Sequence, residues 1–170
     1  MGGFRYLLGL GSNVGDRDAA LDEALRFLST WMEWGRLSPR RQTVPLTSSE
    51  HDVSDHGPYL NMVAEGSSFL GPRELYARIV IIEDTLGHPR HARWRPRSLD
   101  IDILLCSLGR GPGPVEDGVP LFVHCSAAED GGLVIPHAGT KDRPFLQTLV
   151  VDDLKVGRAC LAAHGLFQNI

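Results

Sequence analysis

Apolar and polar positions along the chain switch between two periods, and the switches mark out the elements. Tyr6–Leu10 is a short apolar run that ends in the turn-forming cluster Gly11-Ser12-Asn13-Val14-Gly15-Asp16, and it reads as a first strand. Ala20, Leu21, Ala24, Leu25, Leu28 and Trp31 then recur at helical spacing, with Asp16 or Asp18 placed to cap the start and Gly35 to end it. Leu37–Pro45 is compatible with an extended chain. Thr47–Pro58 has no period and predicts a long loop of the kind that often carries function. Tyr59–Ser67 alternates, with Leu60, Met62 and Ala64 on one face and Tyr59, Asn61, Val63 and Glu65 on the other, the pattern of a half-buried strand. Pro72 suits the first turn of a helix whose buried stripe is Leu75, Ile79, Ile82 and Leu86, and Gly87 stands where a left-handed C-terminal cap belongs. Leu99–Cys106 is the next strand.

The resulting order is strand, helix, strand, strand, helix, strand. It predicts an α+β domain with a ferredoxin-like split βαβ core, helices packed on an antiparallel sheet, and an extra C-terminal segment. Ser107–Asp130 is rich in glycine and proline and reads as an irregular excursion with a short strand at Pro120–Val123. Leu133–Ile135 adds an edge strand, and Pro144–Leu154 has helical spacing of Phe145, Leu149 and Leu154. The 170 residues suit one domain spanning 1–170.

Composition narrows the function classes. The formal net charge of −4 argues against a nucleic-acid partner, so any bound phosphate needs a local basic cluster. No apolar run approaches the ~20 residues of a membrane span, and the N-terminal stretch lacks the features of a secretory signal. Three cysteines without paired spacing are read as free thiols, which fits a cytoplasmic protein.

The strongest local signal is Arg93-Trp94-Arg95-Pro96-Arg97-Ser98-Leu99-Asp100-Ile101-Asp102. The period of two on a strand puts Asp100 and Asp102 on one face and Leu99, Ile101 and Ile103 on the other. Adjacent carboxylates repel and call for a cation, and hard oxygens suit Mg²⁺ holding a polyphosphate. The competing reading is a solvated face with salt bridges to the preceding arginines. Gly9-x-Gly11-x-x-x-Gly15 misses both common phosphate-loop spacings and is read as a structural turn. Tyr59 and Asn61 share a face that can stack on and read a flat heterocycle, or can simply end a strand. The seven histidines form no zinc pattern, and His137 gains interest only from Lys141 and Arg143 beyond it.

Taken together, GLGSNVGDR at 9–17, Thr43-x-Pro45-Leu46, Tyr59-Leu60-Asn61, Glu83, RWRPRSLDIDILL at 93–105, and Pro136-His137 followed by Arg143-x-Phe145 resemble the 6-hydroxymethyl-7,8-dihydropterin pyrophosphokinases of folate biosynthesis. The motifs occur in that family's order over most of the chain. The resemblance implies pyrophosphate transfer from ATP to 6-hydroxymethyl-7,8-dihydropterin by a monomer. Two Mg²⁺ ions would be held by Asp100 and Asp102, and Arg97, Arg90 and His88 would lie at the transferring phosphates. Glu83, Trp94, His137 and Arg143 would serve ATP, and Thr43, Leu46, Tyr59, Asn61 and Phe145 the pterin. His88 stands where the family usually has arginine, Arg95 where it has glycine, and the segment after Leu46 lacks a glycine-proline-glutamine pattern. His88 leaves open a second reading, a catalytically weakened paralogue that binds pterin or nucleotide.

Overall fold

The computed structural model describes residues 2–44, 57–86, 98–125, 132–141 and 143–166. Its elements in chain order are β1 (Gly2–Ser12), α1 (Arg17–Leu28), β2 (Glu33–Leu37), β3 (Arg41–Thr43), β4 (Tyr59–Ser68), α2 (Pro72–Thr85), β5 (Asp100–Arg110), β6 (Val119–Pro120), β7 (Val123–His124), β8 (Val134–Ile135), α3 (Pro144–Gln147) and α4 (Arg158–Ala163). The main sheet runs β2-β4-β1-β5-β6, with β3 also on β4, and its pairs are antiparallel. The order strand, helix, strand, strand, helix, strand is the expected split βαβ arrangement, with β2 and β3 standing in for one interrupted strand. The interruption is Ser38-Pro39-Arg40: the Ser38 hydroxyl accepts the Val63 N–H at 2.9 Å, where a continuing strand would have used its backbone.

Local chemistry sets the helix starts. The Asp16 carboxylate accepts the Ala19 N–H at 3.0 Å and caps α1. Pro72 opens α2, and Glu74 reaches back to accept the Gly71 N–H at 2.9 Å. The end of α1 differs from expectation. The helix stops at Ser29, Trp31 lies beyond it, and Gly35 sits inside β2. The Ser29 hydroxyl donates to Leu25 O and accepts Trp34 Nε1–H at 2.9 Å, tying the exit of the helix to the incoming strand. The Gly87 cap lies outside the described residues, as does most of the 47–58 loop.

Each sheet face has its own core. On one side α1 and α2 pack through Leu21, Ala24, Leu28, Leu75, Ile79 and Ile82 onto Tyr6, Leu8, Leu10, Met62, Ala64, Ile101 and Ile103. On the other, Leu146, Leu149, Val150, Leu154, Val156, Leu161 and Leu166 of the C-terminal segment cover Leu7, Val63, Leu104 and Leu105. That second cover corrects the half-buried reading of β4, whose residues Asn61–Gly66 are buried on both faces. The helix expected over 144–154 forms, with α3 passing directly into a π-helical stretch at Thr148–Asp153 ahead of the separate α4.

The 107–130 stretch is more regular than its composition suggested. β5 extends to Arg110, a short 3₁₀ turn forms at Val115–Asp117, and β6 pairs with Ser107 and Leu108. The expected edge strand at 133–135 pairs with β7 in a separate two-stranded ribbon instead of joining the main sheet. Cys106, Cys125 and Cys160 are free thiols, as expected. Among the described residues, no helix is long and apolar enough to cross a membrane.

Candidate active site

The C-terminal segment covers only part of its sheet face, and the remainder carries the polar residues. β1 runs between β4 and β5 with Gly11 opposite both Asn61 and Asp100, and Gly9 opposite Val63 and Asp102. Cross-strand partners share a face, so Asn61, the two glycines and the two aspartates form one surface. A small cleft there is lined by Gly9, Leu10, Gly11, Asn61, Met62, Asp100, Asp102, Leu104, Arg143, Phe145 and Leu146. Five residues selected from sequence, Asn61, Asp100, Asp102, Arg143 and Phe145, therefore meet around one cleft.

Gly9 lies in the first strand as its apolar run predicts, but Gly11 does not open the turn: β1 continues through it, and of the three glycines Gly15, with φ of 68°, takes the left-handed turn conformation. A Cβ at Gly11 would lie 2.6 Å from Asn61 Oδ1, so the bare backbone is what gives the amide its place. Their alternation, in register with Asn61 and with the Asp100/Asp102 pair, is the signal that could have identified the cleft floor. Across the cleft rim, Asn61 Nδ2 donates to Thr43 Oγ1 at 2.7 Å. That bond fixes the amide, with its oxygen over Gly11. Tyr59 pairs with Thr43 at the open end of β4, and its ring approaches the Gly11 side of the strand.

Asp102 is contacted from the segment that follows β8. Arg143 Nη1 donates to its Oδ2 at 3.2 Å, and His137 Nε2 is 3.5 Å from Oδ1. Burial and the neighbouring Asp100 push the Asp102 carboxyl above its ordinary range, while His137 and Arg143 pull the other way. The His137 main-chain N–H donates to Leu104 O at 3.2 Å, pinning His137 to β5 two residues from Asp102. His137 Nδ1 and Thr140 Oγ1 are buried and have no hydrogen-bond partner among the described residues.

Glu83, expected near the nucleotide, is buried on the inner side of α2, where its carboxylate accepts the Ile101 N–H at 2.7 Å. It thereby fixes the start of β5 between the two aspartates. Leu46, His88, Arg90, Trp94 and Arg97 lie outside the described residues. At the sheet edge, a larger open cleft lies between β2, β4 and Pro112–Pro114, but its Arg36 is already neutralised by Glu65 and Glu116.

The donor set fits a hard divalent cation brought in with a polyphosphate. Among the described residues no group of three or more His, Cys, Asp or Glu side chains is placed to hold a metal ion alone. Two carboxylates on one face can nevertheless anchor Mg²⁺ when water and phosphate oxygens complete its shell.

A family model described as 7,8-dihydro-6-hydroxymethylpterin-pyrophosphokinase (HPPK) matches residues 7–152. The 2-amino-4-hydroxy-6-hydroxymethyldihydropteridine pyrophosphokinase of Aquifex aeolicus is 36% identical over 98 residues, covering 58% of this chain and 58% of the relative. The folate synthesis bifunctional protein of Chlamydia muridarum is 32% identical over 144 residues, covering 84% of this chain and 29% of the relative. The chain thus spans less than two thirds of the length of these two relatives. A pyrophosphokinase of the same description from Methylorubrum extorquens is 29% identical over 158 residues, 90% of this chain and 86% of that one. Among solved structures, an HPPK-DHPS in complex with substrates superposes with a TM-score of 0.59 at 14% identity, covering 96% of this chain and 43% of that one, a likeness of fold.

Proposed function

From the premise that this chain belongs to the 7,8-dihydro-6-hydroxymethylpterin-pyrophosphokinase family, we propose that it transfers pyrophosphate from ATP to 6-hydroxymethyl-7,8-dihydropterin, yielding AMP and the pterin diphosphate for folate synthesis. The observation that carries this reading is the single cleft joining Asn61 and Phe145 to Asp102 and Arg143. A heterocycle reader and a polyphosphate holder are then neighbours, as a transfer between two bound substrates requires.

In this reading Tyr59 and Phe145 stack on the pterin, and Asn61, set by Thr43, reads its hydrogen-bonding edge beside the backbone near Leu46. The pterin hydroxymethyl oxygen forms its new bond to the β-phosphorus, the bond from that phosphorus to the α–β bridging oxygen breaks, and AMP leaves with that oxygen. The hydroxyl proton passes to solvent. Asp100 and Asp102 would hold two Mg²⁺ ions, which when bound supply charge neutralisation at the phosphates. Arg143 and His137 orient phosphate oxygens from the other side. Arg97, Arg90 and His88 are assigned to the transferring group and Trp94 to the nucleotide, on the strength of the motif match. Glu83 supports the site from behind through Ile101. The three free thiols support a cytoplasmic setting.

The test is AMP formation from Mg-ATP with and without the pterin alcohol. Pterin-dependent AMP is expected. ATP binding without turnover would favour a weakened paralogue, and no binding of either substrate would end the proposal.

A further inference from the structure

Both oxygens of Asp102 are engaged from the protein side, Oδ2 by Arg143 at 3.2 Å and Oδ1 by His137 at 3.5 Å. Both residues are anchored through the chain that carries them. His137 is tied through its backbone to Leu104 O, and Arg143 stands at the N-cap of α3, whose Leu146 is buried in the second core. A divalent cation reaching Asp102 therefore meets a carboxylate already supplied with partners, with a guanidinium against it. A triphosphate changes that balance, because its oxygens offer Arg143 and His137 another anionic acceptor at the same end of the cleft.

We propose that Asp102 exchanges partners: Arg143 and His137, which stand against its carboxylate in this structure, turn to phosphate as a divalent cation takes their place, so that cation and triphosphate bind as one coupled event. This rests on the reading of the chain as an ATP-dependent pyrophosphokinase. Coupling of this kind is reciprocal, so the pairing weakens capture of a free cation and of a metal-free nucleotide alike. Arg143 acts here as a positioning residue for Asp102 before it acts on substrate.

The experiment is titration of Mn²⁺ into the nucleotide-free protein, with the free ion followed by its electron paramagnetic resonance signal. Arg143→Gln is expected to bind Mn²⁺ roughly fivefold or more tightly than the unaltered chain, and His137→Gln to change in the same direction. Lys141→Gln removes a charge from the same segment, and its affinity is expected to stay within about twofold, separating contact with Asp102 from a general charge effect. Thermal melts accompany each variant, and His137→Gln carries the test should Arg143→Gln fail to fold. Unchanged affinity in Arg143→Gln, or an equal gain in Lys141→Gln, overturns the exchange while leaving the pyrophosphokinase reading intact. Undiminished Mn²⁺ binding by Asp102→Asn overturns the exchange and the metal assignment beneath it.

Discussion

Single residues here answer to their cross-strand neighbours. Asp100 and Asp102 oppose Gly11 and Gly9, which sets both carboxylates on one face of the sheet. Because burial and Asp100 hold the Asp102 carboxyl above its ordinary range, the protonated form favours folding; that contribution is full below about pH 4, the unfolded value, and is lost as pH rises through the folded one. Asp102→Asn should consequently melt no lower than the unaltered chain at neutral pH, and its relative advantage should shrink on acidification, while AMP formation is lost. Differential scanning calorimetry across pH, run beside the transfer assay, checks both. On the pterin side, Thr43→Val removes the acceptor that orients Asn61 and should weaken pterin binding by about 1 kcal/mol, with recovery in Thr43→Ser and little change for ATP by calorimetry. Gly11→Ala should do at least as much by driving a methyl into the space of Asn61 Oδ1. The aspartates were legible because a period of two is unambiguous once a strand is assigned. Gly9 and Gly11 were not, since glycine has no side chain to show periodicity and is the commonest mark of a turn.

Elements were legible where the two ends carried their own chemistry. Pro72 with Glu74, and Asp16 with the following helix, set starts that the structure keeps. The end of α1 was misplaced because Ser29 and Trp34 close it through a tertiary hydrogen bond, which no local glycine signals. β4 looked half-buried because its second face carries Glu65 beside Val63, and a carboxylate there is buried together with partners that come from β2 and from beyond β5. Arg36 meets Glu65 through Nε at 2.6 Å and Nη2 at 2.8 Å, reaches Glu116 at 2.8 Å, and donates to Leu154 O at 3.2 Å. Val115 N–H also donates to Glu65 at 2.8 Å, so this carboxylate joins β2 and the excursion after β5, and Arg36 carries the link on to the C-terminal segment. Arg36→Met should cost about 3 kcal/mol by leaving Glu65 buried without its cation, and Arg36→Met with Glu65→Leu should recover much of that loss. Urea unfolding of the two variants decides it; equal stability of the single variant and the unaltered chain would contradict the assigned role.

At the scale of the whole molecule, the fold is an antiparallel sheet with two helices closing one face and the C-terminal segment closing part of the other. Among the described residues, the part left uncovered by that segment is where β1, β4 and β5 bring Gly11, Asn61 and Asp100 abreast. His137, Arg143 and Phe145 belong to that surface only because the chain returns across the sheet after β8, a placement that sequence spacing alone could not supply and that the family's motif order did. The central claim is transfer of a pyrophosphoryl group, and the most direct measurement of it follows ATP labelled at the β-phosphorus in the presence of Mg²⁺ and 6-hydroxymethyl-7,8-dihydropterin. The account predicts that the β label appears in the pterin product in step with AMP. Label retained in ADP, or released as free pyrophosphate without entering the pterin, would contradict it.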